Sequence, residues 1–154
     1  MYYFAYGANM LRETIEKRVM NVNKKVIKKG TAILDKFEIV FNKPSSRGKF
    51  VFSNIRENQN KFVYGVVYEL TEDQLKELDK REKGYIREKK KVKLTNGDEV
   101  EAYVYIAKET KEGLKPLEIY VKDLIKGAKE NNLPENYIKE IISKAGIDVR
   151  NNSL

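Results

Sequence analysis

The sequence predicts an α+β fold in which a small mixed, mostly antiparallel sheet curls toward a β-barrel and is flanked by helices. Three observations indicate this class. Strand-like segments are joined by short polar turns, helical patterns interrupt them twice, and the last third of the chain carries two apolar stripes at helical spacing. The 154 residues contain no repeat, low-complexity tract or linker, so we expect a single domain over residues 1–154.

The first half of the chain carries four strand patterns and one helix pattern. They are a strand at 2–5, a helix at 10–19, and strands at 26–41, 50–56 and 61–70. Residues 42–48 (NKPSSRG) combine turn-forming residues and are the best candidate for a mobile loop. Gly65 lies on the face of the last strand opposite Tyr64 and Val66, where the missing side chain predicts a close approach by another part of the protein.

The second half carries a helix, a hairpin and two further helices. They are a helix from Thr71 to near Gly84, strands at 85–94 and 99–107, and helices that begin at Pro116 and Pro134. Thr71 and Gln74 form a capping box, which marks the start of the first of these helices. Asn96-Gly97 is a strong signal for the hairpin turn.

The composition restricts the chemistry that the chain can use. There is no Cys and no His, so a catalytic site would rely on Asp, Glu, Lys, Tyr, Ser, Thr or the backbone. The net charge of +8 could attract nucleic acid, but lysines and glutamates are interleaved, which favours a thermophilic surface and no nucleic-acid partner. Neither a signal-peptide pattern nor an apolar run of membrane length occurs, so we expect a cytoplasmic protein without a membrane partner.

Glu82, near the end of the helix that starts at the capping box, is the acid in the least expected position. Leu75 and Leu78 define the inward face of this helix, and Glu82 is the next position on that face. Loss of hydration there would raise its pKa toward the range of a general base. The structural alternative is that the helix is ending and that Glu82 pairs with Arg81, Arg87 or a lysine.

The opening stretch YFAYGANM provides a second candidate site. Its residues of interest are Tyr6, Gly7, Ala8 and Asn9. A strand that stops there and leads into a helix presents consecutive backbone N–H groups, which can bind a carboxylate, a phosphate or an oxyanion. A glycine turn with Asn9 as a plain helix N-cap explains the same residues. The anion-binding turn at residues 6–9 and the inward-facing carboxylate of Glu82 would together make an active site that needs neither His, Cys nor metal.

Four segments of the chain resemble the gamma-glutamylcyclotransferase family. YFAYGANM is similar to the Tyr-Gly-Ser-Asn-Leu motif of that family, and Tyr64-Gly65-Val66-Val67-Tyr68 is similar to its Gly-Val-Val strand. Leu78-Asp79-Lys80-Arg81-Glu82, with Tyr85 downstream, resembles its Leu-Asp-x-x-Glu segment. The stretch GAKENNLP at 127–134 resembles its Gly-Ala-Lys-Glu-Asn-x-Leu-Pro segment. The order and separation also match, so the resemblance spans nearly the whole chain.

The resemblance implies a small barrel with flanking helices, no cofactor and a small-molecule γ-glutamyl substrate. In the implied reaction the free α-amine attacks the γ-carbonyl of the same substrate, which releases an amine or amino acid and forms 5-oxoproline. Glu82 would move the protons, and the backbone around Tyr6, Gly7, Ala8 and Asn9 would hold the substrate carboxylate or the oxyanion. Tyr103, in a strand where the family also has Tyr, is a candidate for the pocket wall; a core position explains it equally well.

Two departures from the family pattern bear on specificity. Ala8 stands where the family has Ser, and the segment between Glu82 and Tyr85 is shorter than in the animal enzymes of the glutathione cycle. Three kinds of leaving group are therefore compatible with the sequence: amino acids, amines and γ-glutamyl-tagged intermediates. A non-catalytic small-molecule binding or interaction module on the same fold is the alternative function. Both a monomer and a homodimer are compatible with the sequence.

Overall fold

The computed structural model describes residues 1–147. They form β1 (Tyr2–Ala5), a 3₁₀ turn (Ala8–Met10), α1 (Arg12–Val19), β2 (Ile27–Pro44), β3 (Val51–Glu69), α2 (Glu72–Arg81), β4 (Tyr85–Leu94), β5 (Glu99–Ala107), α3 (Glu118–Glu130) and α4 (Glu135–Ala145). Within this range, no helix combines the length and the apolar character needed to cross a membrane.

The strands close into a barrel in the order β1, β3, β2, β4, β5. Neighbouring strands are antiparallel except β1 and β5, which run parallel where Tyr3 and Tyr103 face each other and complete the ring. Closure removes the free edges that an open sheet would expose. The predicted α+β class, with a mixed and mostly antiparallel barrel flanked by helices, is confirmed.

The strands β2 and β3 form a long antiparallel hairpin. The sequence predicted two strands, at 50–56 and 61–70, where the structure has the single strand β3. That prediction was wrong because the polar residues between the two segments belong to a bulge. These β3 residues lie opposite the point where the pairing register shifts, between Asp35 and Phe37 of β2. A bulge adds residues to a strand without ending it.

The predicted loop at 42–48 is only partly a loop. Residues 42–44 belong to the end of β2, and a tight turn from Ser45 to Phe50 leads into β3. The backbone N–H groups of Lys49 and Phe50 both donate to Ser45 Oγ, and Ser45 N donates to Phe50 O at 2.8 Å. The hairpin therefore extends further than the polar sequence indicated, and Lys43 lies in a strand with a defined direction.

The 3₁₀ turn between β1 and α1 is held from two sides. Tyr68 OH of β3 donates to Met10 O at 2.8 Å, and Asn131 Nδ2, just after α3, donates to the same oxygen at 3.0 Å. Gly127 of α3 packs so closely that a Cβ there would lie 2.7 Å from Leu11 N. The barrel and α3 thus fix the position of this turn.

Most other elements follow the sequence patterns. Both hydrogen bonds of the capping box form: Gln74 N donates to Thr71 Oγ1 at 3.1 Å, and Thr71 N donates to Gln74 Oε1 at 2.9 Å. The turn at 95–98 joins β4 and β5 as predicted. Three helices start one or two residues later than predicted, at Arg12, Glu118 and Glu135.

Candidate active site

A cavity of about 330 Å³ lies where the turn after β1, the end of α2 and the β2–β3 connection meet. The turn residues Gly7, Ala8 and Asn9 line it, as does the Glu82 carboxyl. Tyrosines from several elements complete the wall. The structure therefore brings together the two candidate sites, although Asn9 and Glu82 are 73 residues apart in the chain.

The Glu82 side chain points into the protein from the residue at which α2 ends, and only 12% of it is exposed. Its Oε1 accepts a 2.7 Å hydrogen bond from Asn9 Nδ2. The same oxygen accepts a 3.0 Å bond from Arg18 Nη1 of α1, which is also its ion-pair partner. The inward position predicted from the helical spacing is confirmed.

Arg81 and Arg87, the arginines expected to pair with Glu82 if it only marked the end of the helix, form ion pairs with other residues. Arg81 Nη2 lies 3.7 Å from Glu77 Oε1, and Arg87 Nε lies 3.0 Å from Asp79 Oδ1. The arginine that does reach Glu82 comes from another helix. Packing of α1 against α2, rather than fraying at the helix end, therefore sets the environment of this carboxyl.

Burial is the main influence on the Glu82 carboxyl and raises its pKa above the usual value for Glu. The charge of Arg18 and the hydrogen bond from Asn9 oppose this effect, and the net direction is still upward. A carboxylate with a raised pKa accepts a proton more readily near neutral pH and can return it within one reaction cycle. Glu82 has the environment of a general acid/base.

Asn9 links Glu82 to Tyr3. Its Nδ2 donates to Glu82 Oε1 and, at 2.9 Å, to Tyr3 OH. Within residues 1–147 its Oδ1 is buried and has no hydrogen-bond partner. The plain N-cap considered from the sequence does not occur, because neither the 3₁₀ turn nor α1 has a side-chain cap. Asn9 instead orients the carboxyl.

The backbone N–H groups of Ala8 and Asn9 begin the 3₁₀ turn and so have no acceptor inside it. No other described residue accepts a hydrogen bond from them. Gly7 makes room for a hydroxyl beside these groups, since a Cβ at this position would lie 2.5 Å from Ser53 Oγ. The turn can therefore offer donors to an anionic part of a ligand.

The tyrosine hydroxyls of the cavity differ in their bonding. Three donate to protein oxygens at 2.6 to 2.7 Å, namely Tyr6, Tyr85 and Tyr105. Tyr120 shares a 2.7 Å hydrogen bond with Ser53 Oγ. Tyr3 accepts from Asn9 and donates to no residue in the described part of the chain. Burial raises the pKa of Tyr3, so its hydroxyl stays protonated and can donate to a ligand.

Tyr103, the predicted wall residue of β5, does not line the cavity, and Tyr105 does. The two residues share a face of the strand, but Tyr103 comes two residues before Tyr105 and lies about 7 Å away from it along the strand. The Arg87 guanidinium covers its ring at 4.5 Å from the ring centre. This placement corrects the prediction: strand periodicity fixes the face on which a side chain lies, not its position along the strand.

Several residues that line the cavity were not predicted as site residues from the sequence. Among them are Tyr3, Arg18, Lys43, Ser53, Tyr85, Tyr105 and Tyr120. Only Tyr85 carried a signal, as the tyrosine downstream of the Glu82 segment. Among residues 1–147, no cluster of three His, Cys, Asp or Glu side chains could hold a metal ion.

The fold and the site together define a small barrel protein with one buried carboxyl in a cavity, next to backbone and hydroxyl groups that can donate to a ligand. Residues 62–141 match the AIG2-like family. The gamma-glutamylcyclotransferase of Bos taurus is 32% identical over 149 residues, which cover 92% of this chain and 77% of that protein. The corresponding protein of Mus musculus is 31% identical over 147 residues, which cover 90% and 76%.

A solved structure named gamma-glutamyl cyclotransferase covers 100% of this chain and 92% of its own, with a TM-score of 0.83 at 25% identity. The chain therefore belongs to the gamma-glutamylcyclotransferase family of enzymes. The resemblance inferred from the four sequence segments is confirmed.

Proposed function

We propose that the protein converts a γ-glutamyl substrate into 5-oxoproline and releases the amine or amino acid attached to the γ-carbonyl. The observation that carries this proposal is the Glu82 carboxyl, which lies largely buried in the cavity between the Asn9 amide and the Arg18 guanidinium. The names of the relatives support the same reaction class.

Such a reaction needs a proton carrier and a defined substrate orientation rather than a separate nucleophile. The α-amine and the γ-carbonyl belong to one molecule, so ring closure is intramolecular and orientation supplies much of the acceleration. Burial raises the pKa of Glu82, which favours transient proton uptake by this carboxylate.

In the proposed cycle Glu82 takes a proton from the α-ammonium, and the freed amine attacks the γ-carbonyl carbon to form the ring C–N bond. Glu82 returns that proton to the leaving nitrogen as the original C–N bond breaks. As that bond breaks, the ring nitrogen gives its surplus proton to the same carboxylate, which then passes it to the departing amine. Two protons move from the α-nitrogen to the leaving nitrogen, and Glu82 ends as a carboxylate.

The tetrahedral intermediate places negative charge on the former carbonyl oxygen, and two kinds of donor could stabilise it. They are the backbone N–H groups of Ala8 and Asn9 and the hydroxyl of Tyr3, which has no acceptor among residues 1–147. Fixed donors aimed at a developing oxyanion are among the largest contributions to catalysis. The backbone groups could instead hold the substrate α-carboxylate. Losing an oxyanion donor would lower kcat, whereas losing a carboxylate contact would mainly raise KM.

The test is the formation of 5-oxoproline from a panel of γ-glutamyl amino acids and γ-glutamylamines, at neutral and mildly alkaline pH and at elevated temperature. We expect conversion of at least one compound. The N-acetylated form of that compound is the matched control, because its acylated α-nitrogen cannot attack the γ-carbonyl. Amine release from the acetylated compound would contradict cyclisation. Binding without turnover across the panel would favour the non-catalytic binding module.

Arg18→Met is expected to shift the acid limb of the activity profile to higher pH. Arg18 stabilises the Glu82 carboxylate, so removing its charge raises the pKa of Glu82 further. A close opposite charge lowers the pKa of a carboxyl group, so we expect the limb to move to higher pH when that charge is removed. The measurement is kcat/KM against pH. Lys17→Met, which removes an exposed partner of Glu13 on the same helix, should leave the limb in place. An unshifted limb in Arg18→Met would contradict the coupling.

A further inference from the structure

Lys43, near the end of β2, carries a charge that forms no ion pair with a carboxylate of residues 1–147, and the charge of Glu82 acts on it only from beyond ion-pair distance. Its side chain lines the cavity, and within residues 1–147 no carboxylate oxygen lies within 4.0 Å of its ammonium nitrogen. The nitrogen lies 5.4 Å from the centres of the Phe52 and Tyr85 rings. Aromatic faces attract a cation without cancelling its charge, so this charge remains available to a ligand.

The chain makes room for this side chain at Gly84. A Cβ on Gly84, which has a φ of +87°, would lie 2.7 Å from Lys43 Cε and 3.0 Å from its Nζ. Partial burial lowers the pKa of Lys43, and the charge of Glu82 opposes that effect. A partly desolvated cation without an ionic partner is unfavourable unless a bound anion compensates it.

The other charges of the cavity support the same conclusion. Among residues 1–147, four cations line it against a single acid, Glu82; the cations are Arg18, Lys43, Arg81 and Lys83. Arg18 pairs with Glu82, and Arg81 pairs with Glu77. Of the two lysines, Lys83 is exposed and Lys43 is half-buried. Lys43 is therefore the better placed to bind an anionic group inside the cavity.

We propose that Lys43 binds a carboxylate on the leaving group, so that the enzyme prefers γ-glutamyl amino acids to γ-glutamylamines of the same shape. This inference rests on the proposed function and concerns the half of the substrate that departs. The glutamyl half must bring its α-amine to Glu82, whose neighbours Asn9 and Tyr3 are buried. The leaving half then extends toward the open side, where Lys43 is half-buried and Ser46 is exposed.

The experiment compares γ-glutamylalanine with γ-glutamylethylamine, two compounds that differ only in the leaving-group carboxylate. The wild-type protein should convert the first with the higher kcat/KM. Lys43→Met keeps the length of the side chain and removes its charge. At a pH well above the acid limb, where the effect of Lys43 on the pKa of Glu82 no longer changes the rate, it should lower kcat/KM for γ-glutamylalanine about tenfold. It should change that for γ-glutamylethylamine less than about twofold, since tenfold corresponds to the loss of one modest charged contact. Lys43→Arg should retain most of the preference.

Lys49→Met is the matched control, because it removes the same charge from the same hairpin at an exposed position outside the cavity. Lys49→Met should leave kcat/KM unchanged for both substrates. An equal loss on both substrates in Lys43→Met would overturn the proposal, since Lys43 would then act on the glutamyl half or on the fold. If the wild-type protein converts neither of these compounds nor any other member of the panel, the proposed function fails. Calorimetric binding of the same pair to the wild-type and Lys43→Met proteins then decides the role of Lys43 separately.

Discussion

Glu82→Gln is expected to lower kcat by about a thousandfold, within the range that general acid/base groups contribute. Gln has nearly the same shape, and its oxygen can still accept the bonds that Asn9 and Arg18 donate. It cannot take up the proton of the α-ammonium group. Because the binding contacts persist, KM should change far less than kcat. The measurement is the steady-state rate of 5-oxoproline formation with the best compound of the panel.

Glu77→Gln is the matched control for this substitution. Glu77, in α2, is also a buried Glu, but it contacts Lys80, Arg81 and Asn21 and does not line the cavity. This variant should keep its activity, and thermal unfolding of both variants checks that the fold is intact. Equal turnover by the wild-type and Glu82→Gln proteins would show that another group carries the proton.

Gly65→Ala is expected to lower the free energy of unfolding by about 3 kcal/mol, the upper part of the usual range for overpacking. A Cβ at this position of β3 would lie 2.5 Å from Ala5 O and 2.6 Å from Phe4 Cζ. Part of that obstacle is backbone, which cannot move aside without disturbing the pairing of Ala5 with Val66. Since β1 leads into the turn that orients Glu82, activity should fall as well.

Urea denaturation measures this change, and Asn60→Ala provides its control. Asn60 is an exposed residue of the same strand, and its replacement should alter stability by no more than about 0.5 kcal/mol. A Gly65→Ala protein as stable as the wild type would contradict the close packing of β1 on β3. It would also place in question the position of the turn that follows β1.

The elements that the sequence predicted correctly depend on short-range chemistry. The capping box joins Thr71 to Gln74, and the hairpin turn is contained in residues 95–98. Such signals are complete within four residues. The break predicted between 56 and 61 failed because a strand end and a bulge use the same polar residues. A strand end and a bulge differ in whether pairing with the neighbouring strand continues beyond them. The sequence of one segment alone does not show this pairing.

The same contrast applies to the site. Helical spacing showed that Glu82 faces inward, but its partners Asn9 and Arg18 are 73 and 64 residues away. No local pattern connects residues over that distance. Lys43 was assigned to a loop because polar residues surround it, whereas pairing with β3 continues through this position. Its place in the cavity follows from the hairpin and could not be predicted from the residues beside it.

Product analysis in ¹⁸O-labelled water, at early times and with the best γ-glutamyl compound, tests most directly whether the attack on the γ-carbonyl is intramolecular. Cyclisation predicts unlabelled 5-oxoproline together with one equivalent of the released amine or amino acid, because no water oxygen enters the product. Glutamate that carries one ¹⁸O atom would instead show that water attacks the γ-carbonyl, and it would contradict the proposed reaction.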